Sequence, residues 1–286
     1  MPARPLTLID PNPRVPDTSG VKWWTDAPWR QLVIDRPVDA ARTAKLAQWE
    51  VVRDGKVLPV RLNGNTPLQL AGNVNTRTFE AKRPGTFTDP FPSTVLPLQP
   101  KVWISTNNDH TWFAVDIERQ RYWEASSFGP MLGGYAWRAD TIRSFDLSKP
   151  WHTQPGSISA SRIPTWALVP TIAQLNAGTI LSALPLVCAG YGNGPPIWPS
   201  RGTDGYIGNG HPLDNGARLR FTREAYERLS VSPGPQDQAL AFAGRYLGFI
   251  VVDKTGEFDG HSVRLPKSAD LNLNMRFTLT DLEVLI

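Results

Sequence analysis

Four ionisable residues lie near one another in the middle of the chain, at Asp109, His110, Asp116 and Glu124. Two carboxylates that flank a glycosidic bond can hydrolyse it. Their separation is about 5 Å in enzymes that retain the anomeric configuration and about 6.5–9.5 Å in those that invert it. A histidine beside an aspartate can also transfer protons. We therefore take these four as candidate catalytic residues of a glycoside hydrolase.

The segments that carry these residues are predicted to form a β-hairpin. Strand-like sequence over 111–116 and 121–125 is separated by residues suited to a turn. In such a hairpin Asp116 lies near the turn, and the other three candidates lie toward the open end, close across the two strands. The alternative is a solvated hairpin whose acidic residues balance the charges of Arg119 and Arg121.

Tryptophan is the strongest compositional signal. The chain holds 11, and seven of them lie between Trp103 and Trp198. The flat, stiff and amphipathic indole ring suits stacking on sugars. The alternative is that these rings supply bulk to a β-rich core. The candidate carbohydrate-binding residues are Trp112, Tyr122, Trp123 and Trp198, of which we expect Trp123 and Trp198 to be exposed.

Several function classes find no support in the sequence. The four histidines are far apart and share no metal-ligand spacing with a cysteine, so we predict no metal site. No glycine-rich loop has the spacing of a nucleotide site, so we predict no cofactor. Cys188, the only cysteine, lies in an apolar run and is expected to be a small buried hydrophobe. The formal charge of +4 is dispersed along the chain, which argues against nucleic-acid binding.

The first 24 residues are predicted to form an extended arm. Five prolines precede residue 22, and each restricts its own backbone and that of the residue before it. The segment has no apolar core of a signal peptide, so we expect synthesis in the cytoplasm without one. No apolar stretch in the chain reaches the length of a membrane span, so we expect no membrane insertion.

Residues 25–286 are predicted to form a single domain of the mainly-β class. About ten short strands mostly follow one another, which favours a β-sandwich or jelly-roll-like set of antiparallel sheets over a parallel βαβ fold. Three or four helices pack on the outside. The clearest signals are helices over 38–49 and 235–246, a tight hairpin at Asp54-Gly55, and alternation over 275–280 that is typical of a strand.

Two stretches resemble a β-rich actinobacterial family. The first runs from Asn108 to Glu124, where Asp-His, a Val-containing strand, Asp, a turn and Tyr-Trp-Glu follow in order. The second contains an Asn-Ala-Gly turn, a Trp-Pro loop, a Gly-Ala-Arg-Leu-Arg strand and a helix leading into Tyr-Leu-Gly-Phe-Ile-Val-Val-Asp253. Over about residues 25–255 the chain also resembles the minor tail proteins of phages that infect mycobacteria and related hosts.

The resemblance implies a β-sandwich and a setting of cell-surface polysaccharide. It leads us to expect a virion tail-tip protein that contacts host cell-wall glycan during adsorption, that binds other tail proteins through residues 1–24, and that forms a homo-oligomer, with a trimer as our guess. Two alternatives remain open: a tail-associated glycoside hydrolase and a purely structural tail subunit.

Overall fold

The computed structural model describes residues 8–9, 21, 23–72, 74–80, 95–105, 109–130, 137–190, 194–203, 213–232, 234–255 and 260–286. Its strands and α-helices are, in chain order, β1 (Leu8–Ile9), α1 (Ala40–Ala44), β2 (Val52–Arg53), β3 (Lys56–Val57), β4 (Arg61–Thr66), β5 (Gln69–Leu70), β6 (Val74–Glu80), β7 (Val95–Leu98), β8 (Lys101–Val102), β9 (Trp112–Asp116), β10 (Arg121–Ser126), β11 (Gly129–Pro130), β12 (Trp137–Ala139), β13 (Thr141–Asp146), α2 (Ile172–Ala177), β14 (Leu184–Ala189), β15 (Arg218–Phe221), α3 (Arg223–Leu229), α4 (Pro235–Tyr246), β16 (Phe249–Thr255), β17 (Ser262–Pro266) and β18 (Leu282–Val284). Short 3₁₀ turns lie at Pro28–Arg30, Leu46–Trp49, Trp151–Thr153, Thr165–Ala167 and Leu279–Asp281.

The predicted mainly-β class is confirmed. Strands account for 30% of the structure and helices for 21%. A jelly roll is not confirmed, and the sheets are mixed rather than wholly antiparallel. The parallel neighbours include β14 and β16, between which the chain forms β15, α3 and α4. Strands that are not adjacent in sequence can therefore pair in parallel when the intervening chain crosses over, and this long-range feature was not revealed by the local pattern.

The described chain forms two compact units. One comprises residues 1–24 with 65–158, and the other comprises residues 25–64 with 159–286. The range 25–286, predicted as a single domain, is thus shared between both units. Within that range the chain passes from one unit to the other at residues 64–65 and 158–159, and the sequence shows no shift in composition at either place. Each unit is assembled from segments that are distant in sequence.

The first unit has two four-stranded sheets around one aromatic core. Their strand orders are β13–β10–β9–β5 and β11–β12–β6–β7. Apolar side chains from both sheets meet, which is how two half-buried sheets exclude water from their inner faces. The core includes Leu96, Leu98, Trp112, Ala114, Ala125, Phe128, Trp137, Ala139 and Ile142.

Most of the predicted N-terminal arm lies outside the described residues. Its described strand β1 pairs in parallel with β8. At its end, the Trp23 ring meets Tyr122 edge-on at 5.2 Å, and the Trp24 ring meets Phe145 edge-on at 6.0 Å. The end of the arm is therefore an aromatic anchor on the β10–β13 pair of its own chain.

The second unit is built on a six-stranded sheet of order β18–β15–β16–β14–β17–β4. Helix α4 packs closely on this sheet at Gly244, where a Cβ atom would collide with the rings of Phe221 and Phe249. The core contains side chains of α4, such as Leu240, together with those of β15 and β16. The absence of a side chain at Gly244 thus sets how closely the helix approaches the sheet.

Local signals located several elements correctly. Helix α4 spans Pro235–Tyr246, as predicted, and begins with proline at its first turn. In place of one helix over 38–49 the chain forms α1 and a 3₁₀ turn, with the Asp39 side chain accepting a hydrogen bond from the Arg42 N–H. Asp54 and Gly55 both have positive φ, of 52° and 71°, which matches the hairpin between β2 and β3.

The strand predicted over 275–280 is wrong. That segment has no strand assignment and ends in the 3₁₀ turn Leu279–Asp281. The Met275 N–H donates to the buried carboxylate of Asp237 at the start of α4, not to a neighbouring strand. A side-chain acceptor therefore replaces the sheet partner that alternation had implied.

Candidate functional site

The hairpin β9–β10 holds Glu124 buried within the first unit. Glu124 lies opposite Phe113 on β9 and opposite Arg143 on β13. It has no exposed surface, and Arg143 is only 2% exposed. Residues that face each other across antiparallel strands point to the same side of the sheet, so the buried Glu124 and the buried Arg143 share one face.

Both oxygens of Glu124 accept hydrogen bonds from the protein. The Tyr122 hydroxyl donates to Oε1 at 2.8 Å. The Ser157 hydroxyl and the Ile158 N–H donate to Oε2 at 2.5 and 3.0 Å. Burial without such donors would strongly disfavour an ionised carboxylate. Glu124 thus links the hairpin to the segment 157–158 and does not face solvent.

Arg143 is held in the same buried region by backbone carbonyls. Its Nε donates to the Gly156 carbonyl at 3.1 Å, and its Nη1 donates to the Ile142 carbonyl at 3.0 Å. Segment 156–158 therefore contacts both buried charged residues: Gly156 accepts from Arg143, and Ser157 and Ile158 donate to Glu124. These hydrogen bonds hold the segment 156–158 against the sheet.

Asp116 lies at the turn end of the hairpin, as predicted. Its Oδ1 accepts from the Arg119 N–H at 2.9 Å, and its Oδ2 accepts from Arg119 Nη1 at 3.0 Å. Because Asp116 pairs with Arg121 and side chains alternate along β10, Asp116 and Glu124 point to opposite faces of the sheet. These two carboxylates do not flank a common space.

Asp109 and His110 lie at the open end and are exposed. Their backbone carbonyls accept hydrogen bonds from the N–H groups of Ser127 and Phe128, at 2.6 and 2.9 Å. His110 has a positive φ of 42°, which is uncommon for a residue with a side chain. The backbone of Asp109 and His110 is bonded to residues just after β10, but their side chains are exposed to solvent, whereas the Glu124 carboxylate is enclosed.

The candidate sugar-binding aromatics divide into buried and exposed. Trp112 and Tyr122 have no exposed surface, and the Trp112 ring stacks on Phe128 at 5.1 Å. Trp123 is half-buried against the same core. Trp198 is 59% exposed. Of the four candidates, Trp198 therefore has the greatest area open to a ligand.

The turn around Trp198 is firmly held. The Ser200 N–H donates to the Ile197 carbonyl at 2.8 Å, and the Trp198–Pro199 peptide bond between them is cis. The buried Ser200 hydroxyl donates to the Ser161 carbonyl at 2.9 Å. Gly216, with a φ of 94°, lies so close that a Cβ atom would collide with the Ile197 carbonyl oxygen. An exposed indole on a well-anchored turn needs little ordering when it meets a flat ligand.

His261 was not among the sequence candidates, and it is buried with a defined tautomer. Its Nδ1 accepts from the Ala189 N–H at 3.1 Å, so Nε2 carries the proton and donates to the Trp49 carbonyl at 2.9 Å. Desolvation lowers its pKa below the ordinary value. Nothing in the spacing of the four histidines distinguishes this one.

Arg218 is a second buried group that the sequence did not single out. It donates to the Pro28 and Leu247 carbonyls, at 3.1 and 2.8 Å. Burial lowers its pKa to about 9. The arginine therefore anchors the segment before α1 to β15, which is a structural role within the second unit.

Cys188 is fully buried in β14, as predicted. Among the described residues, no group of three histidine, cysteine or acidic side chains is placed to hold a metal ion. In the described part of the chain the longest helix has 12 residues, and none combines the length and hydropathy needed to cross a membrane.

Comparison of the chain with family models, with curated proteins and with solved structures found no match. The resemblance to minor tail proteins therefore stays a prediction that rests on the order of the sequence motifs.

Proposed function

We propose that the chain is a virion tail-tip protein that contacts host cell-wall carbohydrate, and that Trp198 is its principal stacking surface. The exposure of Trp198 on an anchored turn is the observation that carries the proposal. Aromatic rings with one apolar face open to water are suited to the apolar face of a sugar ring. The motif order described above adds the phage context and the partners expected for residues 1–24.

The arrangement favours binding over hydrolysis. A glycosidase needs two carboxylates on either side of one bond. Asp116 and Glu124 point to opposite faces of a sheet, and Glu124 is enclosed by its three donors. Asp109 and His110, which are exposed, remain as polar groups that could contact a ligand in the first unit.

The test is incubation of the full chain with host cell-wall polysaccharide, following both pull-down and new reducing ends. A tryptophan buries about 150–250 Å² when it is fully covered. Covering about 100 Å² of indole at about 25 cal/mol per Å² is worth about 2.5 kcal/mol as an upper bound. We therefore expect Trp198→Ala to weaken binding by about tenfold or more, with no new reducing ends in either protein.

Phe242→Ala is the matched control, because Phe242 is also an exposed aromatic, at 46%. It should bind as the wild-type chain does. Equal binding by Trp198→Ala and the wild-type chain would contradict the assignment of Trp198. New reducing ends that disappear in Asp109→Asn would replace the binding proposal with a hydrolase. Absence of the chain from purified virions would contradict the tail assignment.

A further inference from the structure

Two arginines belong to the structure that anchors the Trp198 turn of the second unit. Arg201 lies three residues after Trp198, and Arg162 directly follows Ser161, to which the turn is bonded. Arg201 is exposed and Arg162 is half-buried. The part of the fold that presents the proposed stacking ring therefore also carries two positive charges.

The Ser161 carbonyl holds the segments of the two arginines together. It accepts a hydrogen bond from the Ser200 hydroxyl at 2.9 Å and another from the Arg201 N–H at 2.9 Å. The Ser161 N–H in turn donates to the Val252 carbonyl of β16 at 3.0 Å. The segments 160–162 and 200–202 thus lie against each other and are tied to the sheet. This fixes the backbone of both arginines relative to the turn.

Arg162 has a backbone conformation that few residues with a side chain adopt. Its φ is 64°. Its side chain lies over Gly202, where a Cβ atom would be 2.6 Å from Arg162 Cγ and 2.9 Å from Arg162 Nε. The glycine therefore leaves room for the arginine to lie along the segment that follows Trp198. Residues held in such conformations recur at sites that clamp a ligand.

Two acidic side chains described in neighbouring segments are paired with other arginines. Asp214 accepts a hydrogen bond from Arg42 at 3.2 Å, and Asp253 accepts one from Arg264. Neither carboxylate therefore adds a free negative charge to the surface around the Trp198 turn. A ligand that brings negative charge of its own complements this surface.

The indole and the guanidinium groups offer two different contacts. The ring of Trp198 suits the apolar face of a sugar. A guanidinium group is planar and permanently charged, and it can donate two parallel hydrogen bonds to a carboxylate or to a phosphate. A neutral glycan gains the stacking contact but no charge-assisted hydrogen bond, whereas an acidic glycan gains both.

We propose that the glycan bound at Trp198 is acidic, and that Arg162 and Arg201 bind its anionic groups while one sugar ring stacks on the indole. This inference rests on the glycan-binding role proposed above and names the class of glycan. Carboxylates of acidic sugars and phosphodiesters between sugars present the same chemistry to a guanidinium group. The experiment distinguishes these two sources of the anion.

The probe is a soluble, size-selected fraction of host cell-wall polysaccharide, labelled and titrated with the full chain. One sample is untreated, one has its carboxylates converted to neutral amides, one has its phosphodiesters removed with hydrofluoric acid, and one has received both treatments. The variants are Arg201→Gln, the double variant Arg162→Gln/Arg201→Gln, and Trp198→Ala. Arg223→Gln is the matched control, because Arg223 is an exposed arginine on α3 of the same unit.

We expect the wild-type chain and Arg223→Gln to bind the untreated sample equally. Arg201→Gln should bind it about fivefold more weakly and the double variant about tenfold or more, because charge-assisted hydrogen bonds are lost. The fully neutralised sample should bind the wild-type chain and the double variant alike, through the stacking contact that remains. The single treatment that lowers wild-type binding identifies the anion as carboxylate or phosphate.

Two results would overturn the acidic assignment alone. They are equal binding of the untreated and the fully neutralised samples by the wild-type chain, and wild-type affinity of a folded double variant for the untreated sample. In both cases the proposed function stands if Trp198→Ala weakens binding. A double variant that loses affinity equally for both samples would also overturn it, since the loss would not depend on charge. Unchanged binding by Trp198→Ala, or no binding of any sample, would overturn the proposed function and this inference with it.

Discussion

Glu124 gives the sharpest test of how the hairpin is used, because a structural and a catalytic carboxylate respond differently to the same substitution. Glu124→Gln keeps the size of the side chain and removes its charge. One oxygen becomes an amide nitrogen, which can face the Tyr122 hydroxyl, because that group accepts as well as donates. The amide oxygen then keeps the bonds from the Ser157 hydroxyl and the Ile158 N–H, now as bonds to a neutral acceptor. Arg143 lies directly opposite on β13 and is buried, and it donates to the Gly156 and Ile142 carbonyls.

The expected cost is large. A hydrogen bond to a charged group contributes about 1.5–3 kcal/mol, and one between neutral groups about 0.5–1.5 kcal/mol. Each of the three bonds to Glu124 would therefore weaken by about 1 kcal/mol on loss of the charge. We expect Glu124→Gln to lower the free energy of unfolding by about 3 kcal/mol. With a urea m-value of about 2 kcal/mol per M, the midpoint falls by about 1.5 M.

The assay is urea unfolding of the full chain followed by tryptophan fluorescence, with wild type, Glu124→Gln and Glu118→Gln as the three samples. Glu118 is exposed in the turn of the same hairpin, so its variant should change stability by less than about 0.5 kcal/mol. Tyr122→Phe removes one hydrogen bond to the carboxylate and should cost about 1.5–3 kcal/mol. In a double-mutant cycle with Glu124→Gln the two effects should couple.

The reasoning is refuted if Glu124→Gln unfolds within about 1 kcal/mol of the wild-type chain. It is equally refuted if that variant keeps its stability but abolishes a measurable release of reducing ends. In that case the carboxylate would reach a substrate in solution despite its enclosure, and the hydrolase alternative would regain its strongest residue.

Three further predictions concern the cores of the two units. The pKa of His261 is lower in the folded state, so the unfolded chain takes up the proton first. The free energy of unfolding should therefore fall as pH drops below about 6.5. A His261→Gln variant should lose that part of the pH dependence in urea titrations between pH 5 and 8. Gly244→Val should destabilise the second unit by more than about 2 kcal/mol, because its side chain would collide with the ring of Phe221, and a lower thermal midpoint would report it. Trp112→Ala should lower the free energy of unfolding by about 3–5 kcal/mol, since its ring fills the core of the first unit, and an unchanged urea midpoint would argue against that packing.

The elements that sequence located well are those whose signals are local. Proline at the start of α4 and apolar residues at helical spacing are both contained within Pro235–Tyr246. The hairpin at Asp54-Gly55 needs only two residues that accept positive φ. The same is true of the turn between β9 and β10, where Asp116 caps the backbone of Arg119.

The candidate site depended on partners that are distant in sequence, and there local reasoning stopped short. The distinction between an open and an enclosed Glu124 is made by Ser157 and Ile158, which lie 33 and 34 residues further along the chain. The parallel pairing of β14 with β16 and the fixing of residues 272–275 by α4 are long-range in the same way. Alternation at Met275 indicated which side chains are buried, but not whether its N–H would meet a strand or a carboxylate.

The tryptophans illustrate how a compositional signal can serve two purposes in one molecule. Trp112 stacks in the core of the first unit, whereas Trp198 is carried outward by a turn whose base is bonded to Ser161 and pressed against Gly216. The Trp112 ring is covered by the apolar side chains of that core, whereas the Trp198 ring lies on a turn that is held by the hydrogen bonds of Ser200. A single exposed indole is ordinary on a protein surface and by itself identifies no ligand. What suits Trp198 to stacking is the anchored turn that carries it, which lowers the cost of ordering on binding. That reasoning, rather than the number of tryptophans, is what favours Trp198 as the point of contact with a glycan.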